Sequence, residues 1–180
     1  MEIVELIHQS RLITWNLVYI LWKGELFSSR WFALVSLMVI SYIVWWLLID
    51  KRRLSDLLLF GSFIAVLRVL YENTFVGMGA WTYQVRIFPL TINLFMPDLT
   101  MVPLAFMLIY QYTASWKSYF LGSIVASGIW AFAVTPLFKV FDIIVFHNWN
   151  YFYSFIAALL IALLARFFFL LVIKIEQGKS

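Results

Sequence analysis

The sequence predicts an all-α fold: a polytopic bundle of about five transmembrane helices, preceded by an amphipathic helix in the interface. Of its 180 residues, 64% are hydrophobic and only 12% are charged, whereas a soluble domain is about one quarter charged. Several apolar stretches approach the roughly 20 residues needed to cross a bilayer. A dense basic cluster, Asp50-Lys51-Arg52-Arg53, separates two of these stretches. We therefore expect a single membrane domain over residues 1–180.

Residues 2–23 are expected to form the amphipathic helix. The polar residues in this stretch recur every seven positions, which places them on one side of a helix: Glu2, Gln9, Asn16 and Lys23. A single polar stripe on an apolar helix is typical of a helix that lies in the headgroup plane. A true span from about residue 12 to residue 22 stays open as the alternative.

Five predicted spans follow along the chain, at about 31–49, 54–71, 99–112, 119–138 and 151–173. Glycine and proline residues interrupt regular structure between the second and third spans: Gly77, Gly79, Pro89 and Pro97. The apolar stretch 87–96 in this region is expected to be interfacial or re-entrant. Asp98 comes directly before the third span, where a carboxylate would cap the N-terminus of the helix.

The basic cluster predicts the orientation of the bundle. Lys51, Arg52 and Arg53 are expected to anchor the protein to anionic headgroups on the cytoplasmic side. This orientation puts the C-terminus inside as well, and the segments 72–97 and 139–150 outside. The net charge of +4 comes from residues at the ends of apolar stretches. The expected partners are therefore membrane lipids and not nucleic acid.

Small residues recur at helical spacing on two of the predicted spans: Gly122 and Ala126 on the fourth, and Ala158, Ala162 and Ala165 on the last. Such residues let helix backbones approach closely in lipid. We expect them to pack the spans of one bundle against each other, and an interface between copies in a homo-oligomer is the alternative.

Ionisable residues at membrane depth are candidates for function. Arg68 and Glu72 are four residues apart on the second span, which predicts a neutralising ion pair. A sharper hypothesis is a ligand-binding site at the outer face, made of charged and aromatic side chains: Glu72, Trp81, Tyr83, Arg86 and Asp98. That site would take a cation, a headgroup or the polar end of a ligand. Arg166 is interpreted as a snorkelling anchor, with a lipid phosphate as its alternative partner.

The residue types that most cofactors and metals require are scarce. The chain has no cysteine, and neither His8 nor His147 has a further ligand at metal-binding spacing. The sequence contains no Ser-His-Asp grouping, no phosphate-binding loop and no dinucleotide fingerprint. We therefore predict no cofactor, no metal site and no catalytic residues.

Short motifs between residues 45 and 168 also carry a family resemblance: Asp50-Lys51-Arg52-Arg53, Phe60-Gly61, Gly79-Ala80-Trp81-Thr82-Tyr83, Pro89, Pro97-Asp98-Leu99, Pro103, Met107-Leu108-Ile109-Tyr110-Gln111-Tyr112, Trp116-Lys117 and Tyr153-Ser154-Phe155. With these motifs the chain resembles a family of small multi-pass membrane proteins from spore-forming Gram-positive bacteria. The resemblance implies a helical fold in the bacterial cytoplasmic membrane and implies no activity. The chain departs from the family pattern at Glu72, where a Leu-Asp pair is common, and at Thr135, where Glu often precedes the proline.

Three function hypotheses follow. The leading one is a non-enzymatic bundle that binds a lipid, a hydrophobic ligand or a membrane partner through the region 72–98. The second is a small ion or solute transporter or channel, assembled as a homo-oligomer. The third is a lipid-modifying enzyme, which would use Glu72 and Asp98 as its acid–base pair.

Overall fold

The computed structural model describes residues 2–90 and 94–178. Of the described residues, 81% are helical, which confirms the all-α part of the expected fold class. The α-helices in chain order are α1 Glu2–Glu25, α2 Ser29–Leu48, α3 Leu54–Gly77, α4 Val102–Tyr112, α5 Trp116–Ile129, α6 Thr135–Val140 and α7 Tyr151–Gln177. A 3₁₀ turn at Lys51–Arg53 leads into α3, a π-helical segment at Leu94–Met101 leads into α4, and π-helical residues Trp130–Val134 join α5 to α6.

Within the described residues, four continuous helices are long and apolar enough to cross a membrane: Ser29–Leu48, Lys51–Gly77, Trp116–Val140 and Tyr151–Gln177. The second of them continues to Gly77, past the expected end near Tyr71. This extension matters for the candidate site, because it keeps Glu72 inside the helix, one turn beyond Arg68.

A cluster of aromatic rings packs α3, α4, α5 and α7 together. The ring of Phe60 on α3 stacks on Tyr110 of α4, with centroids 4.5 Å apart and planes 18° apart. Tyr119 of α5 and Phe169 of α7 meet the same Phe60 ring edge-on, at 6.2 and 6.0 Å. Edge-on and offset-stacked arrangements are the favoured geometries of aromatic pairs. Phe60 is fully buried as a result.

The alanine face of α7 is buried inside the chain. Ala158, Ala162 and Ala165 are at most 1% exposed, and α7 packs against both α3 and α5. The hydroxyl of Tyr119 on α5 donates to the Ala162 carbonyl at 2.8 Å. The small residues of α7 therefore serve packing within one copy of the chain.

A short antiparallel ribbon closes one end of the bundle, which we call the hairpin end. Strand β1, Trp81–Tyr83, pairs with β2, Ile144–Phe146, and Thr82 lies opposite Val145. Neither strand is apparent in the sequence, because strands of three residues are too short to show an alternating pattern. The pairing shows that the segments after α3 and after α6 lie at the same end.

The opposite end, which we call the basic end, carries the exposed side chains of Lys51, Arg52 and Arg53. The side-chain amide of Gln111, at the end of α4, spans the connection between α2 and α3. Its Oε1 accepts from the backbone N–H of Asp50 at 2.7 Å, and its Nε2 donates to the Leu48 carbonyl at 3.0 Å. One side chain thus provides partners for the Leu48 carbonyl, which the end of α2 leaves unpaired, and for the N–H of Asp50 in the turn that follows.

Helix α1 lies against the hairpin end. The indole of Trp22 donates to the carbonyl of Ile87 at 3.0 Å. Nearer the start of the helix, the stretch 10–15 faces the stretch 73–79 across a groove of about 910 Å³. Only Val18 of α1 is buried, so α1 is the helix with the least packing against the rest of the described chain.

Asp98 lies inside the π-helical segment and not at a helix N-terminus, since helical turns already begin at Leu94. The capping role expected for Asp98 is therefore replaced by the ion pair described below. Of the stretch 87–96, which is expected to be interfacial or re-entrant, residues 91–93 lie outside the described residues.

Gly61 allows α3 and α4 to approach each other. A Cβ at this position would lie 2.6 Å from Sδ of the buried Met107. We expect Gly61→Val to lower the free energy of unfolding by about 1–3 kcal/mol, the usual cost of overpacking. Gly128→Val is the matched control, because nothing lies within 4 Å of a Cβ there. Thermal unfolding in detergent, followed by circular dichroism, measures both, and equal melting temperatures would contradict the prediction.

Candidate functional site

Five side chains meet at the hairpin end of the bundle and form what we call the polar core: Arg68, Glu72, Trp81, Tyr83 and Asp98. Each is at most 4% exposed. Helix α3 contributes two of them because residues four apart share a helix face. Strand β1 contributes two more because residues two apart share a strand face. The structure therefore brings together four of the five residues predicted as a ligand site, together with Arg68.

The guanidinium of Arg68 pairs most closely with Asp98. Its Nη2 lies 2.7 Å and its Nε 2.9 Å from the same carboxylate oxygen, Oδ1. The expected pair with Glu72 is present at a longer distance of 3.8 Å. Sequence reasoning missed the Asp98 partner because it is 30 residues away, and helical spacing indicates only local pairs.

Glu72 connects α3 to the hairpin. The indole N–H of Trp81 donates to its Oε1 at 3.2 Å. Tyr83 interacts with the same carboxylate. Burial first, and then the charges of Glu72 and Asp98, raise the pKa of Tyr83 well above its usual range. The phenol therefore keeps its proton and remains a donor to the carboxylate.

Two aromatic rings complete the surroundings of Arg68. Its Cζ atom lies 4.9 Å from the ring centroid of Tyr71 and 5.9 Å from that of Trp130. Cation–π contacts of this kind stabilise a guanidinium that has lost its water. Arg68 is thus held both by carboxylates and by ring faces.

Arg86 lies beside the polar core and contacts it through Tyr83. Its Cζ is 5.9 Å from the Tyr83 ring centroid, and its Nη1 donates to the Leu90 carbonyl at 2.9 Å. Burial lowers the pKa of Arg86. The fifth residue of the predicted ligand site therefore adjoins the core and makes backbone contacts of its own.

The polar core has little free space. A cavity of about 30 Å³ touches Arg68, Glu72 and Tyr83, which is room for about one or two water molecules. Two carboxylate oxygens in the core, Oε2 of Glu72 and Oδ2 of Asp98, have no hydrogen-bond partner within the described residues. The core as folded admits water, and a lipid headgroup does not fit into it.

A much larger groove of about 770 Å³ runs along the outside of the bundle between α3 and α7. Its wall is almost entirely apolar, and its residues include Leu70, Tyr71, Phe75, Trp149, Tyr153, Ala157, Leu160 and Leu164. Tyr71 lines both this groove and the small polar cavity. Sequence reasoning missed the groove, since neither helix alone shows that its apolar face meets the other across a gap.

Among the residues that the structure describes, no group of three or more His, Cys, Asp or Glu side chains could hold a metal ion. His147 instead shares a hydrogen bond with Thr82, across 3.1 Å between Nε2 and Oγ1.

Comparison with known proteins yields no relative. No family model, no curated protein and no solved structure matches the chain.

Removing one partner of the Arg68–Asp98 pair is expected to destabilise the fold strongly. Asp98→Asn leaves a buried guanidinium with only the longer contact to Glu72. Removing one partner of a buried pair typically costs about 3–5 kcal/mol, because the other charge stays buried and unpaired. Asp56→Asn is the control on α3, since Asp56 is exposed.

Detergent-induced unfolding measures both changes. The double variant Arg68→Met, Asp98→Leu should lose less stability than the sum of its two single changes, because no unpaired charge of the pair remains. An Asp98→Asn protein as stable as the unmodified one would contradict the prediction.

Proposed function

We propose that the chain is a multi-pass protein of the bacterial cytoplasmic membrane with five spans. The four long apolar helices support this placement. The remaining span, third in chain order, consists of Leu94–Met101 and α4. Together these two segments connect the hairpin end to the basic end. The exposed side chains of Lys51, Arg52 and Arg53 support a cytoplasmic basic end, because Lys and Arg favour cytoplasmic loops.

In this proposal α1 lies in the outer interface and does not span. Two separate parts of α1, Trp22 and the stretch 10–15, face elements of the hairpin end. They are about 10 residues apart, or roughly 15 Å along the axis. A spanning helix would carry one of these parts deep into the bilayer, away from that end.

Cysteine labelling tests the threading, because the chain has no cysteine of its own. Single cysteines are introduced at three exposed positions: Ser55→Cys, Asn148→Cys and Glu5→Cys. In intact cells, a membrane-impermeant maleimide should label Asn148→Cys and Glu5→Cys, and should label Ser55→Cys only after permeabilisation. Protection of Glu5→Cys would indicate a spanning α1, and labelling of Ser55→Cys in intact cells would reverse the orientation.

We propose that this membrane protein binds the hydrocarbon chain of a lipid, without catalysis, in the groove between α3 and α7. The groove itself is the main support: it is apolar, it follows two of the candidate spans, and it is open at the side. A hydrocarbon chain in the groove would cover almost entirely apolar surface. Rings of Tyr71, Trp149 and Tyr153 lie at its hairpin end, where aromatic side chains suit the boundary between acyl chains and headgroups.

The polar core has a supporting role in this proposal. Through Arg68, Glu72 and Asp98 it holds α3, β1 and the Leu94–Met101 segment together. It also fixes Tyr71, whose ring lies on the Arg68 guanidinium and forms part of the groove wall. The headgroup of the lipid would therefore lie near Tyr71 and Trp149, outside the core.

Filling the groove tests the proposal. Ala157 lines its middle, and Ala157→Phe should displace about two buried CH₂ groups of the chain, which weakens binding about tenfold. Val125→Phe is the control, at a position on α5 that is 61% exposed and outside the groove. Native mass spectrometry of gently purified protein measures the lipid retained per protomer. Equal retention by both variants would contradict the proposal.

The ion or solute pathway through a homo-oligomer is the second candidate. It is favoured by the small cavity at Glu72 and by the carboxylate oxygens without hydrogen-bond partners in the described part of the core. A lipid-modifying enzyme would require an acceptor to reach Glu72 and Asp98, which are both 0% exposed. The groove is accessible from the side as the structure stands, so lipid binding needs no further opening of the fold.

A further inference from the structure

Another buried arginine lies near the basic end. It is distant in sequence from the residues of the polar core, and its surroundings differ from those of Arg68. Arg166 of α7 is 4% exposed. Its Cζ atom lies 4.5 Å from the ring centroid of Tyr119, 4.9 Å from that of Trp116 and 5.5 Å from that of Tyr110. We call these four side chains the arginine cage.

The rings of the cage leave the hydrogen-bond donors of Arg166 unsatisfied. Nε and Nη1 are both buried and have no hydrogen-bond partner within the described residues. Within the residues that the structure describes, no carboxylate lies within 4 Å of the Arg166 guanidinium. Ring faces attract the charge of a guanidinium, but its five N–H groups point outward in its own plane and need acceptors there. A buried charge without such partners is costly.

The cage lies near the basic end of the bundle. Trp116 is the first residue of α5, and Tyr110 lies in the last turn of α4. Arg166 itself lies more than two turns before the end of α7, and its guanidinium lies beside Trp116 at the start of α5. Further positive charge is close, because Cζ of Arg53 lies 5.9 Å from the same Tyr110 ring. The carboxylate of Asp56 also interacts electrostatically with Tyr110.

We propose that the arginine cage is a binding site for a phosphate group, supplied by the headgroup of an anionic phospholipid. Planar guanidinium donors match phosphate oxygens in a bidentate arrangement. In this proposal the phosphate approaches the guanidinium past the ring of Trp116, which is 47% exposed. This site is separate from the groove between α3 and α7 and does not depend on it.

Melting temperatures in defined lipid test the site. Purified protein in detergent is titrated with dioleoyl-phosphatidylglycerol, dioleoyl-phosphatidylcholine or inorganic phosphate, since a ligand that binds the folded state raises its melting temperature. Phosphatidylglycerol should raise the melting temperature more than phosphatidylcholine does. Arg166→Gln should weaken this response at least tenfold in lipid concentration, the usual effect of losing a charge-assisted hydrogen bond. Lys174→Gln removes one exposed charge from the same helix and should keep the response.

The outcomes separate the alternatives. A response of equal size to inorganic phosphate would support the phosphate site and assign it to a free anion. Equal responses to the two lipids, or a full phosphatidylglycerol response in Arg166→Gln, would overturn the proposal and leave Arg166 with a packing role. If Arg166→Gln does not fold, Trp116→Leu replaces it, because that ring is 47% exposed and closes one wall of the cage. An unchanged lipid preference in Trp116→Leu would then overturn the proposal.

Discussion

The fold depends on the neutralisation of one buried charge. Arg68 places a guanidinium inside the packed part of the chain, where an unpaired charge would be prohibitively costly. Asp98 provides its close partner and thereby joins α3 to the segment that begins α4. Glu72 shares the same charge more weakly and reaches the hairpin through Trp81. Three parts of the chain are held together because each contributes to the surroundings of this one cation.

Arg68 and Arg166, two of the three buried arginines among the described residues, show two solutions to the same physical problem. Both lie against aromatic rings, with Tyr71 and Trp130 around Arg68 and three rings around Arg166. Of these two arginines, Arg68 alone has carboxylates of the described chain within 4 Å. We attribute the difference to position, because Arg68 lies among α3, β1 and the Leu94–Met101 segment, whereas the proposed place of the arginine cage is the membrane interface. A charge that protein encloses must find its counter-ion within the chain, and a charge at the interface can obtain it from the surroundings.

The helices were predictable from sequence because apolar runs of sufficient length have few alternatives to helix. The convergence of Glu72, Trp81, Tyr83 and Asp98 was also predictable in outline, since charged and aromatic side chains beside apolar spans tend to gather. Their burial was not, because it depends on pairing between β1 and β2, two strands that are far apart in sequence. The close partnership of Arg68 with Asp98 was missed for the same reason, and the groove required two helix faces to be placed side by side.

The connection between α2 and α3 has a consequence for how the chain is made. Helix α2 packs against α4 and the Leu94–Met101 segment, and Tyr42 donates to the Leu99 carbonyl at 3.1 Å. Gln111, near the end of α4, completes the hydrogen bonds of the α2–α3 connection. A ribosome therefore synthesises α2 well before α4 and the Leu94–Met101 segment, against which α2 packs. The hairpin of α2 and α3 therefore becomes a packed part of the fold only after α4 has been synthesised.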